Sequence, residues 1–311
     1  YRFLSNGFAV STVGNLNNAV NYVAWNWNAG DTDGKTYTVT VVDDSGNKFR
    51  FDGFGTSAVT LDLAEGGTYI FNYPSGHPFR FSTTSDGTHG GGTEYTTGVT
   101  HNSSTQVTIV VAASAPQLYY YCASHSGMGG AINTNSSLGS SNFDGTIQTT
   151  VKANTTAGFS ILTYSGTGSA GTIGHGLGVA PQAIITKRKS GGTEDWKVYH
   201  QNITGGYFLK LNETQVQTSN SNVYPNTAPT STVYSLGSHP SVTASGSTYV
   251  AYVFSEVAGY SKFGSYEGNQ NADGTFVFLG FTPAWLMIKN ADNSSNRNWC
   301  IIDATRTTFN K

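Results

Sequence analysis

The stretch PQLYYYCASHSGMGG, Pro116 to Gly130, holds one of the two cysteines of the chain, and its reading decides the fold. Its first half is a β-prone run of Leu and Tyr. Its second half is a Ser- and Gly-rich loop in which Cys122, His125 and Met128 recur at every third position. Such a loop is either a tight turn that contains sulfur or a set of soft ligands delivered at a strand end. Upstream, GTYIFNY leads into PSGHPFRFS and sets His77 in a short loop between two further strands. Two strand junctions at one end of a β-sandwich can therefore gather a thiol, two imidazoles and a thioether. A thiolate with two imidazoles makes a trigonal set, and a thioether as weak axial donor suits copper in both oxidation states. Zinc more often takes further Cys or His.

Outward from this loop the same pattern recurs. TYTVTVV, TQVTIVVAA, AGFSILTY, PQAIITK, GGYFLKL, TYVAYVF and AWLMIK are short, β-branched or aromatic, and separated by clusters of Gly, Asn, Asp and Ser. Helix signals are weak, the best being a turn or two around NLNNAVNYVAW. The expected class is all-β, in antiparallel sandwiches. Charged residues make up 11% and the net charge is -2, so the clustered Lys and Arg of a nucleic-acid surface are missing. No apolar run is long enough to span a bilayer as a helix. Cys300, in NRNWCIIDAT, reads as a buried strand residue.

The C-terminal half repeats itself. The segment from Phe159 to His200 runs alongside that from Ser261 to Asp303: Tyr164 answers Tyr266, Pro181 answers Pro283, Lys187 answers Lys289, and Trp196 answers Trp299 with a one-residue slip. The shared frame is a strand, a Gly-rich turn, a Pro that opens an apolar strand ending in Lys, then Trp. A repeat this long is domain duplication rather than a small solenoid. Asn21-Tyr22-Val23-Ala24-Trp25 resembles Thr248-Tyr249-Val250-Ala251-Tyr252, which precedes the second copy, yet the first copy begins only at Phe159. The intervening chain therefore reads as an inserted module. The expected organisation is 1–34 as the end of a preceding repeat and 35–133 as the insert. Residues 134–158 follow as linker and first return strand, with NTNSSLGSSNFDG as the linker. Copy one is then 159–256, and 257–311 is an incomplete copy two.

His77 with Cys122-Ala-Ser-His125-Ser-Gly-Met128 resembles the cupredoxin, or blue-copper, family, with the contracted C-x2-H-x2-M loop of its amicyanin-like members. The resemblance implies a Greek-key sandwich with copper on His77, Cys122, His125 and Met128. His77 precedes Pro78, whereas family members often carry Pro before that His, which bears on ring orientation and potential. A sandwich that keeps these residues without metal, or with another ion, is the open alternative. His89 and His101 read as exposed loop histidines.

A second resemblance covers about half of the chain. AGFSILTYSGTGSAGTIGHGLGVAPQAIITKRK, YVAYVFSEVAGYSKFGSYEGN and GFTPAWLMIK are similar to a repeated domain of structural proteins from marine tailed bacteriophages. That resemblance implies a virion protein of fibre, tail or appendage type. It would be a homo-oligomer, with a trimer as the fibre-based guess, meeting other virion proteins and a host glycan or receptor. The alternatives are a bacterial surface adhesin or filament, and a cell-surface or periplasmic blue-copper electron carrier.

No enzyme is expected. Gly166 to Gly171 matches G-x-G-x-x-G, but TIGHGLGVAP follows where a dinucleotide site needs a helix. His175, Glu194 and Asp195 read as turn residues rather than as an acid and base.

Overall fold

The computed structural model describes residues 2–4, 7–9, 24, 26–30, 34–135, 139–292 and 297–304. The chain is nearly all β, as its alternating pattern predicts. The short helical turn expected around NLNNAVNYVAW lies, but for Ala24, outside the described residues. A hairpin of β1 (Arg2–Leu4) and β2 (Gly7–Ala9) comes first.

The first sandwich comprises β3 (Gly34–Asp43), β4 (Asn47–Phe51), β5 (Leu61–Ala64), β6 (Thr68–Asn72), β7 (Phe79–Ser82), β8 (Val99–Ser103), β9 (Gln106–Val110), β10 (Leu118–Cys122) and β11 (Gly130–Asn135). One sheet runs β4-β3-β6-β9-β8 and the other β5-β11-β10-β7. Antiparallel pairing dominates, but β3 with β6 and β5 with β11 are parallel, a departure from the purely antiparallel expectation. Alternate residues of both sheets meet in one core. Tyr37, Phe49, Phe51, Tyr69, Phe71, Val107 and Ile109 come from the first sheet, and Leu61, Phe79, Phe81, Leu118, Tyr120 and Ile132 from the second.

The scaffold that follows contains β12 (Ser140–Asn142), β13 (Thr149–Asn154), β14 (Phe159–Ser165), β15 (Gly171–Gly174), β16 (Ala183–Arg188), β17 (Lys197–His200), β18 (Tyr207–Lys210), β19 (Thr218–Ser219), β20 (Val233–Leu236), the one-turn helix α1 (Pro240–Thr243) and β21 (Thr248–Phe254). Eight strands form one antiparallel sheet in the order β12-β13-β14-β21-β16-β17-β18-β19. The β15–β20 ribbon shares its core, which buries Ile147, Leu162, Tyr164, Ile173, Ile184, Tyr234 and Tyr249. Gly166 to Gly171 connects β14 to β15, so a strand rather than a helix follows the motif.

Apart from residues 136–138, which lie outside the described residues, the Asn- and Ser-rich stretch after the first sandwich is not a loose linker. β11 continues to Asn135, β12 joins the scaffold sheet, and Phe143 is buried in the first core, stacked on Phe51 at 5.8 Å. Tyr37 Oη donates to the Ser141 carbonyl at 2.8 Å, and Gln148 Nε2 donates to the Thr60 carbonyl at 2.8 Å. The short polar residues that resemble linker composition here satisfy backbone groups between two cores.

Two hairpins from the aligned segments share one register. β22 (Trp285–Ile288) and β23 (Cys300–Asp303) pair antiparallel, Trp285 opposite Asp303, as Ala183 pairs with His200 between β16 and β17. Aligning Pro181 with Pro283, with the slip at the tryptophan, carries one register onto the other. Lys187 donates to the Glu194 carbonyl, and its counterpart Lys289 donates to that of Arg297. Cys300 occupies a strand as expected but is exposed, not buried. Its counterpart Lys197 is buried beneath elements that have no equivalent within Ser261–Asp303.

Candidate metal centre

Strand phase brings the candidate ligands together. Leu118, Tyr120 and Cys122 alternate on β10, so the side chain of Cys122 falls on the core face and is buried. Cys122 is registered opposite Phe79 on β7, and His77 stands two residues before Phe79. The pairing runs one step further, with the Ala123 amide donating to the Pro78 carbonyl at 2.9 Å. This carbonyl contact ties the His77 loop to the Cys122 loop.

The result is a compact trio. The Nδ1 of His125 lies 3.5 Å from the Cys122 Sγ, and the Nδ1 of His77 lies 4.0 Å from it. One donor atom from each of the three residues lies within 4.8 Å of the others, and the two rings are 4.7 Å apart. Cys122 is buried, His77 half-buried and His125 exposed. Metal bonds of about 2.3 Å to sulfur and about 2.0 Å to nitrogen, at trigonal or tetrahedral angles, separate sulfur from nitrogen by roughly 3.5 to 3.8 Å. The observed separations bracket that range. One thiol with two imidazoles, buried on one side and open on the other, is a donor set that fits copper.

Met128, the fourth residue singled out in the sequence, is buried and belongs to the first core. Its carbonyl accepts from the Phe49 amide at 2.9 Å, which ties the end of the loop to β4. Gly127 has φ +71, in the left-handed region, and forms the turn before Met128. Its amide donates to Asp86 Oδ1 at 2.9 Å, and its carbonyl accepts from the Lys48 ammonium.

His89 and His101 are both exposed, as expected, but neither stands in a plain loop. His101 lies on β8 and meets Glu94 at 2.8 Å, a carboxylate that Arg80 also approaches at 3.4 Å. His89 lies in a 3-10 turn, Gly87–Gly90, and its Nε2 is 3.0 Å from the Cys122 carbonyl. Sequence reasoning passed over Asp86, Lys48 and His89 as neighbours of the ligand loop. The Asp-Gly pair at the head of DGTHGGG signals a turn, but nothing local names the distant loop it meets.

The acid and base candidates of the scaffold do not converge. His175, read from the sequence as a turn residue, follows β15 and is buried. Its Nε2 faces the Thr230 carbonyl at 3.2 Å and its Nδ1 accepts from the Leu177 amide at 3.3 Å, which assigns the neutral tautomer. Burial holds its pKa below the ordinary histidine range. Asp195, in a loop as expected, accepts from Asn212 at 3.0 Å and pairs with Lys210 at 2.9 Å. The Asn212 hydrogen bond, then Lys210, brings its carboxyl down to about 2. Among the described residues no helix is long and apolar enough to cross a membrane.

No curated protein and no solved structure gives a significant match to the chain. The model of one family does match, over residues 131–311, from the start of β11 through both copies of the repeat. His77 and the Cys122 loop lie outside that match, and the match itself spans more than half of the sequence. The chain therefore belongs to the family described as DUF7483, a domain of unknown function.

Proposed function

We propose that the chain is a structural component of a bacteriophage particle, of fibre, tail or appendage type, and that its first sandwich is a cupredoxin-like, copper-binding module. The convergence of His77, Cys122 and His125 on one point carries the copper reading. In this reading Cys122 would be the thiolate donor, His77 and His125 the imidazole donors, and Met128 the thioether donor. Copper, when bound, supplies a one-electron couple and a cross-link between the two ligand loops. Asp86 and Lys48 hold Gly127, and the Phe49 amide holds Met128, so the loop keeps its course without depending on the metal.

The particle role is supported by the duplicated scaffold, which suits an extended assembly of identical chains better than a diffusing electron carrier. The same Tyr-, Ser- and Asn-rich surface would serve contact with other virion proteins or a host glycan. An exposed His125 beside a buried Cys122 favours one second reading, a surface electron-transfer protein, because the imidazole edge is open to a redox partner.

Titrating Cu(II) into the full chain is expected to produce an intense visible charge-transfer band and a higher melting temperature. At a free metal concentration about a hundredfold above Kd the gain is about 2.7 kcal/mol. Cys122→Ser is expected to lose both the band and the gain. A colourless chain with unchanged melting overturns the copper reading and leaves the particle reading standing. Immunogold labelling of intact virions tests the latter, and label confined to the host envelope favours the electron carrier.

A further inference from the structure

One short turn touches the candidate ligand loop at both of its ends. Tyr121 alternates with Tyr120 and Cys122 on β10, so its ring points away from the first core, yet it is only 1% exposed. The 3-10 turn Gly87–Gly90 covers it. A Cβ on Gly87 would lie 2.5 Å from the Tyr121 ring, so only glycine lets the backbone settle there, and the His89 ring meets the same tyrosine edge to face. The segment that carries the turn is tied to β7 on both sides. Ser82 Oγ donates to the Thr93 carbonyl at 2.7 Å, and the Tyr95 amide donates to the Phe81 carbonyl at 2.7 Å. Within it the Gly92 amide donates to the Gly87 carbonyl at 2.9 Å.

From that seat two side chains reach the loop. His89 Nε2 lies 3.0 Å from the Cys122 carbonyl, and since a carbonyl only accepts, the hydrogen sits on Nε2. Asp86, at the head of the turn, holds φ 57, a left-handed conformation that few residues other than Gly, Asn and Asp adopt readily. Its Oδ1 accepts from the Gly127 amide at 2.9 Å, while Lys48 holds the Gly127 carbonyl from β4. Cys122 and Gly127 flank His125, so one anchored turn grips the loop before and after its exposed imidazole. The Ala123–Pro78 hydrogen bond fixes how far apart the two loops stand, but it does not fix the span of the Cys122 loop itself.

We propose that Asp86 and His89 are positioning residues of the metal centre. They clamp the span from Cys122 to Gly127, so that the thiol and the His125 imidazole keep their separation in the metal-free chain and with either oxidation state of copper. A loop held at one end only would let the exposed His125 swing away from the thiol. Held at both ends, it offers a metal one geometry. The ring N–H of His89 also draws electron density from the Cys122 peptide, which favours the lower charge of Cu(I). The purpose of the clamp rests on the copper reading, whereas the clamp itself is a property of the metal-free chain.

In a Cys300→Ser background of the full chain Cys122 is the remaining thiol, and its alkylation by iodoacetamide without metal reads the clamp directly. His89→Leu and Asp86→Ala are each expected to speed alkylation at least about threefold, because the loop opens more often. His89→Gln and Asp86→Asn, which keep a donor and an acceptor, are expected to stay near the starting rate. Unchanged rates in the Leu and Ala variants overturn the proposal. Equal gains in the conservative variants overturn it too, since they would assign the effect to packing. With Cu(II) added, His89→Leu and Asp86→Ala are expected to bind about tenfold more weakly. His89→Leu is also expected to lower the reduction potential by about 59 mV, a tenfold change in the preference for Cu(I) over Cu(II). An unchanged potential overturns the tuning assigned to the His89 N–H. A chain that takes up no copper overturns the copper reading, and the alkylation rates still decide the clamp.

Discussion

His175 illustrates how one buried residue couples fold to pH. In the unfolded chain its imidazole titrates near about 6.5, whereas burial, partly offset by the Thr230 carbonyl and by Asp144, lowers the value in the fold. Between those two values the unfolded chain binds more protons, so stability rises with pH across the window. The contribution is complete above about 6.5 and is lost as pH falls through the folded value. Chemical denaturation at pH 7 and pH 5 is expected to show a smaller unfolding free energy at the lower pH. His175→Gln should flatten that slope, leaving the part due to His200, whose pKa burial also lowers. An equally steep slope in the variant would assign the acid sensitivity elsewhere.

At the scale of elements, the junction of β10 and β11 positions the candidate ligand loop. A Cβ on Gly129 would lie 1.7 Å from the Tyr120 carbonyl oxygen, so only glycine lets the chain turn from the loop back onto β10. Gly129→Ala is expected to cost about 3 kcal/mol through overpacking, read as a lower denaturation midpoint at unchanged slope. A cost near zero would mean that the β10–β11 junction yields. The β16–β17 and β22–β23 hairpins make the complementary point: two sequences with different residues keep one register and one lysine-to-carbonyl bond.

For the whole molecule, Phe143 is one of the residues that join the first sandwich to the scaffold. It follows β12 of the scaffold sheet, yet its ring packs among Tyr37, Phe51 and Phe54 of the first core. Phe143→Ala is expected to cost about 3 to 5 kcal/mol, the range for a large aromatic removed from a core. The loss should fall unevenly. Hydrogen exchange is expected to quicken in β3 and β4 while β14 and β21 keep their protection. Equal loss in both regions would show a single cooperative unit.

Alternating apolar residues and Gly-rich punctuation were enough, within the sequence, to determine the all-β class. The repeat was also legible there, because its Pro, Lys and Trp sit at fixed places in a strand-turn-strand frame. Cys122, His77 and His125 were legible as candidate ligands because their types and order are chemically restrictive, and period-two phase from Tyr120 already pointed the thiol inward. Other features were decided only by tertiary structure, since they depend on what arrives from far along the chain. The described part of the Asn- and Ser-rich stretch became strand and interface rather than linker, because Tyr37 and Asp62 lie beside it. Cys300 came out exposed, although its counterpart Lys197 is buried, because burial depends on what packs over a strand and not on the strand's own pattern. Local pattern specifies which face of a strand is apolar, and only the assembled chain specifies what covers that face.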